Sequence, residues 1–276
     1  MQSDMPDNTP APLVGTEMHA PEAVVRPVVR WSGLEREERP DALAPEEPLE
    51  IRLAGRPLTV TMRTPGHDED LVAGLLFAQE LLHTTDDLDE IVRDPAQPNR
   101  IDVRYATRVD SAERWRRYTY ASSSCGVCGV ESLDALVLNT PPVTTPLRVR
   151  ARTLYGLDAR LRSAQESFGA TGGIHAAALF SPDGELLAAR EDVGRHNAVD
   201  KVIGHALRQG LVPLDRYVLM VSGRVAYEIV QKALVAAVSA PTSLAVRVAD
   251  ERGITLVGFL RGERMNVYSH PERVIV

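Results

Sequence analysis

The stretch IHAAALF, residues 174–180, constrains the fold more than any other part of this chain. It is a continuous apolar run of strand length, which reads as a strand buried on both faces. Such a strand needs cover above and below, and the sequence around it supplies that cover. Asp183-Gly184 is a hairpin signal that turns the chain into LLAARED, a second strand. Residues 197–208 carry Ala198, Val199, Val202, Ile203, Ala206 and Leu207 as one helical stripe. Upstream, residues 152–167 place Leu154, Leu157, Leu161, Ala164 and Phe168 on one face of another helix. RYVLMVS (216–222) reads as a strand, residues 225–238 as a deeply buried helix, and SLAVRV, ITLVGFL and MNVYS as closing strands. This succession predicts an α/β fold, a three-layer α/β/α domain with a mixed sheet over residues 147–276.

The first half reads as a smaller α+β domain over residues 49–146. LEIRLAGRPLTVTM predicts a hairpin about Gly55. Thr64-Pro65 opens a helix with Asp68, Glu69 and Asp70 in its first turn and Leu71, Leu75, Ala78 and Leu82 as its buried stripe. Residues 100–105 and 116–121 read as short strands, the second running into SSSCGVCG, and residues 131–138 as a short helix or strand. Pro141, Pro142 and Pro146 mark a linker between the halves. Residues 1–48 are rich in Pro, Glu and Asp without a sustained hydrophobic period. They read as a largely disordered tail in which residues 24–31 can pack on the domain as a strand.

Cys125 and Cys128, in that serine- and glycine-rich loop, are the only two cysteines of 276 residues. The stretch MQSDMPDNTPAPL has no basic cap followed by an apolar run, and no apolar stretch is long enough for a membrane span. A cytoplasmic location with reduced thiols is the expectation. One thiolate pair is half of a structural zinc site, and the His-x-Glu then Pro-Cys-x-x-Cys pattern of zinc deaminases is absent, so no metal site is expected. A dithiol redox couple and a persulfide carrier both remain compatible with an accessible CxxC loop. A net charge of −7 argues against a broad nucleic-acid surface but leaves room for a small cluster of arginines.

Three stretches of the second half suit a phosphate-bearing ligand. In EDVGRHNAVDKVIG, Arg195 and His196 stand where a strand gives way to a helix, with Asn197 and Asp200 resembling a capping pair. In VSGRVAYEIV, Ser222, Gly223 and Arg224 repeat that arrangement. In GFLRGERMNVYSH, Arg261 and Arg264 flank Gly262 in a tight turn. The glycine pair of TGGIH lets a flat ligand or another backbone approach, while His175 alone reads as a satisfied core histidine.

Taken in order, CGVCG, TGGIHAAAL, REDVGRHNAVDKVIG, SGRVAYEIVQKA and GFLRGERMNVYSH resemble the FdhD family of formate dehydrogenase accessory proteins, over about residues 50–276. The resemblance implies a sulfur carrier between a cysteine desulfurase and the molybdenum bis-guanine-dinucleotide cofactor of formate dehydrogenase. It implies a persulfide on Cys125 with Cys128 assisting, and a cofactor-binding segment at Phe259, Leu260, Arg261, Gly262, Glu263 and Arg264. Arg195, His196, Ser222, Gly223 and Arg224 are the candidates added by the reading of the residues. The family further implies a cytidine-deaminase-like second domain without zinc ligands, and a homodimer. The alternative is a nucleotide-binding regulator whose CxxC cycles between dithiol and disulfide.

Overall fold

The computed structural model describes residues 22–79, 81–105, 142–230 and 235–276. The apolar run forms the strand β8 (His175–Phe180), following β1 (Val24–Ser32), β2 (Glu35–Leu43), β3 (Glu47–Leu53), β4 (Arg56–Arg63), β5 (Leu88–Arg93), β6 (Arg100–Tyr105) and β7 (Val149–Arg150). It lies inside a six-stranded sheet with β9 (Leu186–Asp192), β10 (Val218–Val221), β11 (Val235–Ala237), β12 (Leu256–Arg261) and β13 (Arg264–Ser269). The strand order is β13-β12-β11-β10-β8-β9. Strands β10, β11 and β12 run parallel and the remaining pairs antiparallel, so the sheet is mixed.

Alternation along the strands explains the layers. Ala177, Leu179, Leu219, Val221 and Leu256 pack against the helix Arg195–Arg208 on one face. Ala176, Ala178, Phe180, Met220 and Val257 pack against Leu154, Leu157 and Leu161 of the helix Ala151–Ser163 on the other. Both faces are therefore dry, as the unbroken apolar run requires. No helix among the described residues is long and apolar enough to cross a membrane.

We number the helices α1 (Asp68–Ala78), α2 (Ala151–Ser163), α3 (Glu166–Thr171), α4 (Arg195–Arg208), α5 (Tyr227–Val230) and α6 (Ser243–Glu251). The first half forms a second sheet, order β4-β3-β6-β5, whose Leu49, Ile51, Ile101 and Val103 cover α1. The expected hairpin about Gly55 is present, with Ala54 and Gly55 both at positive φ, as a tight two-residue hairpin loop demands. The opposite side of α1 lies on α4. A Cβ at Gly74 would sit 1.8 Å from the Asp200 carbonyl oxygen, and one at Gly204 would sit 1.8 Å from that of Asp70. The two halves thus meet backbone to backbone.

Several expectations need correction. The stripe assigned to α1 is too narrow: Leu71, Val72, Ala73, Gly74 and Leu76 are all buried, because the helix is enclosed by a sheet and a second helix. The helix expected over 152–167 breaks at Ala164, and the carboxylate of Glu191 accepts from Ser167 and Phe168 N–H, both at 2.8 Å, to start α3. Residues 225–238 are not one helix. Their described residues hold α5 and then β11, a central parallel strand whose apolar run is the same as a buried helix's. Conversely SLAVRV is helical, being the start of α6, where Thr242 Oγ1 accepts from Ala245 N–H at 3.2 Å and Ala245 and Ala249 face the core.

The tail expected to be largely disordered carries the antiparallel hairpin β1–β2, closed by Gly33 at φ 63°. Residues facing each other across it include the opposite charges Arg26 with Asp41 and Arg30 with Glu37, which favour this register.

Candidate functional site

The topology gathers the candidate residues at one end of the six-stranded sheet. Strands β9, β10, β11 and β12 end there, and β8 and β13 begin there. Gly194–Arg195 follow β9, Ser222–Arg224 follow β10, His175 opens β8, and residues 259–264 form the tip between β12 and β13. In open α/β sheets this is where ligands gather.

Within the 190–201 motif the side chains divide by role. Asp192 is fully buried. Its carboxylate accepts from Gly194 N–H at 2.8 Å, Asn197 Nδ2 at 3.0 Å and Thr64 N–H at 3.1 Å, and pairs with Lys201 Nζ at 2.8 Å. Lys201 also donates to the Thr64 carbonyl at 2.8 Å, and Asn197 Nδ2 to that of Met62 at 2.7 Å. Arg190 grips Asp70 at 2.9 and 3.1 Å. These residues clasp the two halves of the molecule together. Gly194 is the N-cap of α4 and Asn197 lies inside the helix, so the expected Asn197–Asp200 cap is not formed. The protein's own Asp192 supplies the anion expected at that helix start. His196 is buried, whereas Arg195 is half-buried with its Nε lacking a hydrogen-bond partner.

After β10, Ser222 continues the ladder: its N–H donates to the Ala176 carbonyl and its Oγ accepts from Ala176 N–H, both at 2.9 Å. Gly223 leaves room for the His175 ring, whose Nδ1 would lie 3.4 Å from an added Cβ. Arg224 is exposed. The turn leads into α5, Tyr227–Val230.

The tip at 259–264 differs in character. A β-bulge sets Phe259 at φ 53°, in the left-handed region that bulky residues rarely adopt, and leaves its ring 44% exposed. Leu260 is fully buried and anchors the tip in the core. Arg261 and Arg264 face each other across the hairpin, with Gly262 at φ 54° and Glu263 exposed between them. Arg195, Arg224, Arg261 and Arg264 form no ion pair among the described residues, unlike Arg63, Arg93, Arg100, Arg104, Arg190 and Arg208.

Beside this tip lies a pocket of about 380 Å³ between α2, residues 165–168, residues 172–175, Ser222 and Val238. Ser239, next to the lining residue Val238, accepts through its carbonyl from Phe259 N–H at 3.2 Å, which ties that wall to the tip. Gln165 and Phe168 line it and were not singled out by sequence reasoning; a glutamine in a break between helices carries no motif. His175 also lines it. Burial, then the charges of Arg195 and His196, lower its pKa against the opposing pull of Asp192, so the ring stays neutral at physiological pH. No group of metal-ligating side chains occurs among the described residues. Cys125 and Cys128 lie outside the described residues, as do the strand expected at 116–121 and the segment 131–138.

Comparison with known proteins is consistent along the chain. A model described as the FdhD/NarQ family matches residues 44–275. A sulfur carrier protein FdhD of Streptomyces avermitilis is 51% identical over 253 residues, covering 86% of this chain and 90% of the relative. One of Mycobacterium tuberculosis is 49% identical over 255 residues, covering 86% and 92%. One of Saccharolobus solfataricus is 39% identical over 256 residues, covering 90% and 96%. A solved structure described as a formate dehydrogenase accessory protein from Desulfotalea psychrophila superposes with a TM-score of 0.73 at 24% identity, covering 92% of this chain and all of that one.

Proposed function

The chain belongs to the FdhD/NarQ family, and from that membership we propose that it is a sulfur carrier in the maturation of formate dehydrogenase. The observation that carries this reading is the near-full-length match to sulfur carrier proteins at about half identity. Cys125 is the carrier thiol. Its thiolate attacks the outer sulfur of a cysteine desulfurase persulfide, the donor's S–S bond breaks, and the desulfurase leaves as a thiolate while Cys125 becomes the persulfide. Cys128 assists. The acceptor is the molybdenum bis-guanine-dinucleotide cofactor, handled as a substrate in the cytoplasm by a homodimer.

The sheet end suits such a guest. Phosphates need cationic donors not already committed to carboxylates, and among the described residues Arg261 and Arg264 meet that condition on the tip, with Arg224 and Arg195 on the neighbouring turns. Ser222, Gly223 and the buried His196 shape those turns. Phe259 offers an exposed ring, while Leu260 holds the tip in place.

The experiment is incubation with a cysteine desulfurase and ³⁵S-cysteine. Cys125 gains one labelled sulfur atom, seen as radioactivity removable by a dithiol, and Cys125→Ser carries none. Equal labelling of Cys125→Ser ends the carrier reading.

A further inference from the structure

We propose that Arg148, Arg150 and Arg152, with Ile275 beside them, form a docking face for an acidic surface of the protein that donates sulfur. The inference deepens the function proposed above and rests on it for the identity of that partner.

The first observation is a surplus of unmatched charge. From residue 142 to residue 157 the chain carries these three arginines and no acid, within a protein of net charge −7. All three are exposed, and none forms an ion pair among the described residues, whereas Arg162 further along α2 pairs with Asp158 at 3.4 Å. Local structure makes them one cluster. Val149 of β7 turns into the core, so Arg148 and Arg150 on either side of it point outward, roughly 7 Å apart. Arg150 is the N-cap of α2, and Arg152 stands in its first turn, opposite the buried stripe of Leu154, Leu157 and Leu161. Guanidiniums so placed repel one another, and a partner that bears carboxylates relieves that repulsion.

The second observation is an apolar centre. β7 pairs in parallel with β14 (Val274–Ile275), in which Val274 lies opposite Val149 and Ile275 opposite Arg150. Val274 packs on the core, so Ile275, 37% exposed, faces outward with the arginines. Charges around an apolar contact suit a protein interface, where the charges speed association and the apolar contact holds the complex. Nucleic acid fits less well, because three arginines on an acidic chain are too few to follow a phosphate backbone.

The place of the patch selects the donor among protein partners. The linker marked by Pro141, Pro142 and Pro146 leads from the CxxC stretch straight to Arg148. Arg273, in the turn before β14, donates to the carbonyls of Gly253 and Val143, and Gly253 lies just ahead of β12. The patch therefore sits at the end of the six-stranded sheet where β12 begins, not at the tip where it finishes. About 15 Å of helix separate Arg152 from Arg162 on the pocket wall. A protein docked at the patch leaves the tip open, as a carrier that takes sulfur from one partner and gives it to another requires.

Interferometry of the full-length protein against an immobilised cysteine desulfurase tests this. Arg148→Glu, Arg150→Glu and Arg152→Glu combined weaken binding about tenfold or more, chiefly through slower association, and the corresponding triple Gln variant falls between. Ile275→Ser instead speeds dissociation severalfold. Both arginine variants keep the parent's melting temperature and its affinity for guanosine diphosphate. Undiminished desulfurase binding by the Glu variant overturns the assignment, as does no binding by the unaltered protein. An equal loss of guanosine diphosphate affinity overturns it too, since the arginines would then serve the cofactor. So does a change confined to self-association or to RNA binding. Glutathione persulfide reads the carrier thiol without a protein partner: Cys125 takes its outer sulfur and glutathione leaves as a thiolate. Labelling from that donor stays normal in the Glu variant. Its absence in the unaltered protein would end the carrier reading and leave the docking face standing.

Discussion

Asp70 is buried where α1 crosses α4, yet it remains a carboxylate. Burial pushes its pKa up, but the hydrogen bond with His205 and the guanidiniums of Arg190 and Arg208 outweigh that and hold it well below the usual range. His67, at the start of the same helix, is pushed down from 6.5 to about 4 by burial and then Arg190, with Lys201 and His205 adding and Asp70 opposing. Both depressions act in one direction. Between pH 6.5 and 4 the unfolded chain takes up a proton at His67 that the folded one refuses, so stability falls as pH falls through that window. Below about pH 4 the His67 contribution levels off, but the unfolded Asp70 protonates and the folded one does not, which continues the loss. Denaturant titrations across pH 7 to 3 will show this two-stage decline. His67→Asn, which tolerates the left-handed backbone at this position, removes the upper stage and keeps the lower. An unaltered upper stage in that variant would falsify the assignment to His67. The same residues show why the 190–201 motif was only partly legible. Its ligand candidates were Arg195 and His196, while Arg190 and Asn197 spend themselves on Asp70 and Met62, which lie 120 and 135 positions earlier in the chain. No local pattern announces partners at that range.

Among the elements, α1 and α4 form the joint on which the clasp closes. Gly74 and Gly204 permit contact closer than any side chain allows, and their backbone surroundings cannot yield as a flexible side chain would. Gly74→Ala and Gly204→Ala should each destabilise by at least the roughly 1–3 kcal/mol typical of overpacking, and calorimetry will report lowered melting temperatures. Alanine at Gly156, exposed to open space on α2, should leave stability unchanged or slightly raised. Legibility of elements followed burial geometry. The β8–β9 hairpin and α4 were plain because a turn signal or a one-sided stripe marked them. β11 was hidden because a strand covered on both faces and a buried helix are equally apolar, and the valines of α6 favour a strand by propensity until the Thr242 cap decides otherwise. The candidate site was legible as motifs on separate turns, but not the pocket beside them, which depends on α3 being started by Glu191 from a neighbouring strand.

At the scale of the whole molecule, an acidic chain of net charge −7 holds four arginines along one sheet end that have no acid partner among the described residues. Arg261 and Arg264 are cross-strand neighbours on the tip, and like charges so placed repel. That arrangement is tolerable in water and becomes favourable when an anion bridges the two. The proposed grip on the cofactor's phosphates is therefore electrostatic, and salt tests it. Affinity for guanosine diphosphate should fall with rising ionic strength. Arg261→Ala with Arg264→Ala should cost on the order of 1–3 kcal/mol of diphosphate binding per lost contact and flatten its salt dependence. Titrations of the diphosphate at low and high salt check this. A diphosphate affinity that keeps its full salt slope without both arginines would move the phosphates to Arg195 and Arg224, on the turns that follow β9 and β10.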